Sequence, residues 1–241
     1  WRYLLNLHTP HGLDTAWFAA FAKSLEDTQT MFHMVLVGGD CTSAPTTPIH
    51  ATLTCLGLAD GRALARNGAA IGDQVYVSGT LGDAAYALFC LQHRIAAPAS
   101  LIERYHLPTP RLALGDALRG IATSCTDISD GLIADAQHLA TASGVGLCLE
   151  TSALPLTDTL RTAYATHPAP TPLETLALTG GDDYELLFTA PPSQRSAIAA
   201  LAQRLGLPLT PIGEVEPGQG VRAIGPNAQP VSLPMHGFTH R

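Results

Sequence analysis

Asp127-Ile128-Ser129-Asp130-Gly131-Leu132 sets two carboxylates three residues apart where an irregular segment turns into a helix. Leu132, Ile133, Ala136, Leu139 and Ala140 follow at helical spacing, so a helix is expected to begin here with Asp130 near its N-cap. Backbone N–H groups at such an end favour anions, and two carboxylates beside the Ser129 hydroxyl favour a divalent cation on a phosphate. The same residues also fit an aspartate N-cap followed by a glycine turn, with no chemistry. Two further acidic-glycine motifs weigh toward the first reading. Gly38-Gly39-Asp40 follows the apolar run Met34-Val35-Leu36-Val37, and Gly180-Gly181-Asp182-Asp183-Tyr184-Glu185 precedes Leu186-Leu187-Phe188.

Working outward, the chain reads as α/β (of the α+β type), in two halves with mixed sheets and helices packed on them. Ala51, Leu53 and Cys55 alternate with Thr52 and Thr54 as a half-buried strand, Gln74 to Ser78 form another, and Gly82 to Gln92 are helical. Pro108-Thr109-Pro110-Arg111 is a rigid turn before a helix over 112–122, so the domain boundary is expected there, giving halves 1–111 and 112–241. Beyond Asp127 the pattern predicts a helix ending at Gly144, strands at 145–149 and 184–189, a helix over 193–205, and short strands near Ile212 and Val221.

At 241 residues, 46% hydrophobic and 14% charged, the chain is long enough for one large or two ordinary globular domains. A net charge of -7 argues against nucleic acid and anionic membranes as partners, and a phosphate ligand would need positive charge from metal ions and a few arginines. No apolar run reaches the roughly 18–20 residues of a membrane helix, and no signal segment opens the sequence. Five cysteines without a C-x-x-C pair point to a reduced cytoplasm, with Cys55, Cys90 and Cys148 expected in the core.

One count excludes whole classes: Lys23 is the sole lysine, on an amphipathic helix begun near Asp14 whose apolar face is Trp17, Phe21 and Leu25. It is expected to project into solvent. A Walker-A loop, a protein-kinase β3 strand and a pyridoxal Schiff base each require a lysine, so none of them fits. H-E-x-x-H, G-x-S-x-G and G-x-G-x-x-G are also absent from the sequence.

The strings VGGDCTSAP (37–45), GRALARNGAAIGDQVYVSGTLGDAA (61–85), PTPR (108–111), DISDGLIAD (127–135), TGGDDYELLF (179–188) and HGFTH (236–240) resemble, in this order, the thiamine-monophosphate kinase family. That family belongs to the ATP-binding superfamily of aminoimidazole ribonucleotide synthetase and selenophosphate synthetase. The likeness runs from the Leu4-Leu5-Asn6-Leu7 strand to His240. It implies ATP-dependent phosphorylation of thiamine monophosphate to thiamine diphosphate, by direct in-line transfer with several Mg2+ ions, in a cytoplasmic homodimer. It further implies that residues 1–111 are an ATP- and metal-binding and dimerisation half, incomplete at its N-terminus.

Position by position, the resemblance assigns Gly39 and Asp40 to ATP and its magnesium, Arg66 to an ATP phosphate, and Ser129 to ATP. Asp127 and Asp130 match metal ligands; Asp182 and Phe238 match substrate contacts. No protein nucleophile or general base is implied, because a phosphate oxygen of the acceptor is already ionised near neutral pH. Relatives carry, before the region of Trp1, a Gly-Asp-Asp motif and a further Asp-rich motif that this sequence lacks. Either those residues lie outside it or the chain is a truncated homologue with impaired catalysis. Where the family reads Gly-Gly-Asp-Thr-Thr-Arg-Gly-Pro, this chain has Cys41 and Ser43, and Ser43 removes a positive group near the phosphates. Another ATP-dependent enzyme of the superfamily, or a non-catalytic nucleotide-binding homologue, are the alternative readings.

Overall fold

Alternating burial along β1 (Arg2–Pro10), with Tyr3, Leu7 and Thr9 inward, opens the computed structural model, which describes residues 1–45, 48–58, 61 and 63–232. Two compact units divide it, Trp1–Arg62 and Ala63–Arg241.

In the first unit β1 is the centre of a three-stranded sheet. β2 (Val35–Ala44) lies parallel to it and β3 (His50–Leu56) antiparallel. The parallel pair needs a crossover, supplied by α1 (Thr15–Phe32). Asp14 caps α1 as expected, its carboxylate accepting the Trp17 N–H at 2.8 Å. Trp17, Phe21 and Leu25 are half-buried on one face, and the rings of Trp17 and Phe21 stack at 5.2 Å. Lys23 projects away, paired with Glu26 and Asp27 at 3.1 and 2.8 Å.

β3 departs from the half-buried strand expected: each of its residues is exposed, Cys55 included. It is an edge strand, and three strands with one helix cannot enclose both faces of the sheet. Gly38-Gly39-Asp40, which follows the apolar run directly, lies within β2.

The second unit is built on a six-stranded sheet of β4 (Gln74–Ser78), β5 (Ser124–Asp127), β6 (Gly146–Glu150), β7 (Leu186–Ala190), β8 (Leu209–Glu216) and β9 (Gly220–Ile224). Their order is β5-β7-β4-β8-β6-β9, with β6 and β9 parallel and the other neighbours antiparallel. β4 sits inside this sheet, bonded to β7 and β8, so the expected boundary at 111 is displaced to Arg62/Ala63. The Pro108–Arg111 turn is internal to the unit, joining α3 (Ala99–His106) to α4 (Leu112–Ala117).

Strand alternation sends side chains to two cores. Val75, Val77 and Leu187 face one with Leu132, Ala136 and Leu139 of α5 (Leu132–Ser143). Tyr76 and Phe188, a cross-strand pair stacked at 5.2 Å, face the other with Leu114 and Leu118 and with Ile198 and Leu201 of α8 (Arg195–Leu205). A third cluster joins α2 (Asp83–His93), α3, α6 (Asp158–Thr166) and α7 (Leu173–Thr179) around Tyr86, Leu101 and Leu160. Among the described residues no helix is long and apolar enough to cross a membrane.

Candidate active site

β5 delivers Asp127 to the end of the sheet with its side chain exposed, and the chain then turns through buried Ile128 into α5. The β5–β7 ladder does not stop with the strands. Ile128 N donates to Glu185 O at 2.8 Å, Tyr184 N to Ile128 O at 2.8 Å, and Asp182 N to Ser129 O at 3.0 Å. The two acidic-glycine motifs, some fifty residues apart, are thereby laced backbone to backbone. Asp127, Ser129, Asp130 and Asp182 are thus brought together.

Asp130 is not the helix cap. The N-cap of α5 is Gly131, which makes no side-chain cap bond, and Asp130 precedes it. Gly131 is required by its position: its φ is +112° and a Cβ there would come 2.7 Å from Thr179 O. The loop amides are instead held from the first turn of the helix, where Asp135 accepts N–H bonds from Ser129 and Asp130, both at 3.0 Å. Burial raises the pKa of Asp135; the two amides oppose that rise, and the charges of Asp130 and Asp127 add to it.

Facing this loop, Asp182 and Tyr184 both adopt left-handed backbone, at φ 68° and 49°. Such residues cost on the order of 1 kcal/mol each and cluster at functional sites. Consecutive side chains consequently go opposite ways: Asp182 is half-buried and Tyr184 is 40% exposed, whereas Asp183 and Glu185 are buried. The left-handed turn at Tyr184 also delays the strand, so β7 starts at Leu186. Partial burial, then the neighbouring Asp182 carboxylate, with smaller effects of Asp127 and Asp130, hold the Tyr184 hydroxyl above the ordinary tyrosine range.

The buried pair serves the framework. Both oxygens of Asp183 accept the Gly82 N–H at 3.1 Å, at the start of α2. Glu185 accepts from Ser78 Oγ, from Arg104 at 3.1 Å and from Arg111 Nε at 2.7 Å. Burial pushes the Asp183 carboxyl up to about 8 from an ordinary 3.8, against the Gly82 N–H and Arg104, which pull it down. A folded-state value raised above the unfolded one gives stabilisation that is complete below about pH 4 and lost as pH climbs through about 8. The melting temperature of the wild type is therefore expected to fall between about pH 4 and 8, and Asp183→Asn to flatten that slope. Thermal melts across this range check it; an asparagine variant with an unchanged slope would assign the dependence elsewhere.

Arg66 runs beside β5, exposed, with Ala65 O accepting the Cys125 N–H at 2.8 Å and its own Nε on Thr126 Oγ1 at 3.2 Å. That puts the guanidinium next to the residue preceding Asp127. Gly39 and Asp40 belong to the first unit. There Gly39 has φ +150°, and a Cβ would meet Leu5 O at 1.8 Å, while exposed Asp40 lies opposite Asn6 and accepts the Cys41 N–H at 2.9 Å. Phe238 lies outside the described residues.

Asp135, Tyr184 and His138 were not given roles by the sequence reading. An oxygen each of Asp130 and Asp135 and a nitrogen of His138 lie within 4.8 Å of one another. The spacing Asp135–His138 is i,i+3, so these two share a helix face, a signal the sequence did contain. The hard carboxylate oxygens of Asp127 and Asp130 with the Ser129 hydroxyl suit Mg2+, which prefers oxygen donors and retains waters.

The profile of "AIR synthase related protein, C-terminal domain" matches residues 70–225. Thiamine-monophosphate kinase of Escherichia coli K12 is 38% identical over 234 residues, which make up 95% of this chain and 70% of that protein. The chain belongs to the thiamine-monophosphate kinase family. Among solved structures, the thiamine-monophosphate kinase of Stenotrophomonas maltophilia K279a superposes with a TM-score of 0.84 at 37% identity, covering 95% of this chain and 72% of that one. AaThiL complexed with AMPPCP and TMP superposes at 0.78 and 30% identity, with the same coverages. Escherichia coli HypE, at 20% identity and 0.81, shares the fold alone. The profile lies wholly inside the second unit, so the laced DISDG and GGDDYE loops of this kinase-family chain belong to its matched domain.

Proposed function

We propose that this protein phosphorylates thiamine monophosphate with ATP, yielding thiamine diphosphate. The observation that carries the reading is the lacing of the Asp127–Asp130 loop to the Asp182–Tyr184 loop in a chain of this family. It sets one set of carboxylates beside another where a nucleotide and a phosphorylated acceptor can meet, and the relative AaThiL has been solved with AMPPCP and TMP.

In the second unit Asp127 and Asp130 would hold Mg2+, Arg66 and Ser129 would bind the nucleotide and Asp182 would contact the acceptor; in the first unit Gly39 and Asp40 carry a nucleotide role and Asp40 a Mg2+ role, and Phe238 is assigned to the acceptor. Bound Mg2+ supplies neutralisation between two polyanions, the main demand of phosphoryl transfer. Arg66 offers a permanent planar fork to phosphate oxygens. The acceptor phosphate attacks directly, in line and without a phosphoenzyme, because it needs no base to ionise it. The reaction is placed in the cytoplasm, on small molecules rather than nucleic acid or membrane.

The working form is a homodimer built on the first unit. Leu36 and Leu53, which the register places on one face of its sheet, are 41 and 47% exposed, an apolar surface that a second copy would cover. Sedimentation velocity is expected to give twice the chain mass, and Leu53→Glu to give the monomer; a wild-type monomer at micromolar concentration would refute the dimer.

The function is tested by incubating the purified full-length protein with ATP, Mg2+ and thiamine monophosphate and separating products by chromatography. Thiamine diphosphate with equimolar ADP is expected. A folded sample that makes none, while phosphorylating another acceptor, would overturn the assignment.

A further inference from the structure

The outward carboxylates of the Asp127–Asp130 loop have a proposed chemistry; the buried carboxylate beneath the loop has none. Asp135 is 3% exposed, and one of its oxygens, Oδ2, takes both N–H groups of Ser129 and Asp130. We propose that Asp135 is a positioning residue for the nucleotide and metal loop, fixing the backbone from which Asp127, Ser129 and Asp130 project, without itself being a ligand. The proposal rests on the kinase reading above for its catalytic consequence, though not for its structural one.

The backbone accounting singles this residue out. Along the loop, the Ile128 N–H and the carbonyls of Ile128 and Ser129 are taken by residues 182–185 of the facing strand. The Ser129 and Asp130 amides point the other way, into the protein, where a buried N–H left unmatched is costly. One oxygen from the first turn of α5 answers both, so the loop is gripped on two sides: by β-type bonds from 182–185 and by Asp135 from the helix.

A ligand role is the competing use, since Asp130, Asp135 and His138 are close enough to share a cation. At Oδ2, however, two N–H dipoles already aim their positive ends at the oxygen, which opposes a cation on that atom.

Asparagine separates the two uses. Its amide oxygen can accept both N–H bonds as Oδ2 does, whereas it is a poor replacement for an anionic metal ligand. Hydrogen exchange at the Ser129 and Asp130 amides, without nucleotide or metal, is expected to quicken by about 10–30-fold in Asp135→Ala and to stay near wild type in Asp135→Asn. In steady state, Asp135→Ala is expected to lower kcat and raise the Mg2+ concentration for half-maximal rate, Asp135→Asn to recover most of both, and His138→Ala to change neither. If the alanine variant does not fold, calorimetric binding of Mg2+ with AMPPCP to Asp135→Asn decides. Affinity within about threefold of wild type supports positioning.

Loss of that affinity in Asp135→Asn, a matching loss in His138→Ala, or unchanged exchange in Asp135→Ala would each overturn the proposal. Exchange as expected in a wild type that makes no thiamine diphosphate would leave the positioning role standing and sink the kinase reading instead.

Discussion

Asp127→Asn and Asp130→Asn are each expected to reduce turnover by about 10³-fold or more while leaving the fold intact. The size follows from what the carboxylates are proposed to do. Charge neutralisation at a transferring phosphoryl group contributes several kcal/mol to the transition state, and each 1.36 kcal/mol is about tenfold in rate. An asparagine keeps the shape and one oxygen of each aspartate but loses the anion. Stability should move the other way, because Asp127, Asp130 and Asp182 lie near one another without metal, and deleting one negative charge relieves repulsion. Neither side chain is the α5 cap, so no helix end is lost. Initial rates with ATP and thiamine monophosphate, beside thermal melts of the apo protein, test both halves. Near-normal turnover in either variant would remove that aspartate from the metal set. A large fall in melting temperature would show that its role is structural.

The acidic motifs were legible because they combine residue types that a packed core avoids with glycines that a regular element avoids. The helix after Asp127 was legible from its period, down to its left-handed end at Gly144. Periodicity could not say which carboxylate faces which way. Within Asp182-Asp183-Tyr184-Glu185 the outward and inward side chains are sorted by left-handed backbone at Asp182 and Tyr184, which tertiary bonds to Ile128 and Ser129 impose. Nothing local marks Asp183 for burial. Asp130 was read as the cap region because it precedes the periodic run; the carboxylate that holds the amides is Asp135, reaching back from inside the helix.

The misplaced boundary has a similar cause. Pro108-Thr109-Pro110 does interrupt the chain locally, but sheet pairing decides the units, and β4 finds its partners more than a hundred residues downstream in β7 and β8. Helices of seven to nine residues, α3, α6 and α7, are too short to announce themselves by period. The open sheet of the first unit reads as half-buried in sequence because its alternation is that of a covered face, which agrees with the proposed second copy. Gly39 is a further case: the family resemblance assigns it to ATP, whereas the immediate demand for glycine is the Leu5 carbonyl pressed against it.

Glu185→Ala is expected to cost about 3–5 kcal/mol of folding stability, the range for breaking a buried ion pair from one side. The side chain of Glu185 is fully buried, and those of Arg104 and Arg111 are 21 and 17% exposed, so deletion leaves two guanidinium groups largely shielded without their anion. Ser78 Oγ loses its acceptor as well. Glu185→Gln should fall between, since one oxygen still accepts from an arginine while the charge is gone. Because much of the loss is the uncompensated cation, Glu185→Ala combined with Arg111→Met should cost less than the two single changes added together. Urea unfolding of the wild type and these four variants measures each quantity. The effect should reach the site too: Glu185 follows Tyr184 directly, and its carbonyl holds the Ile128 N–H, so slackening here frees the segment that presents Asp182. A loss below about 1 kcal/mol in Glu185→Ala, or strict additivity in the double variant, would mean that solvent reaches the arginines and that the cluster is not the anchor of this loop.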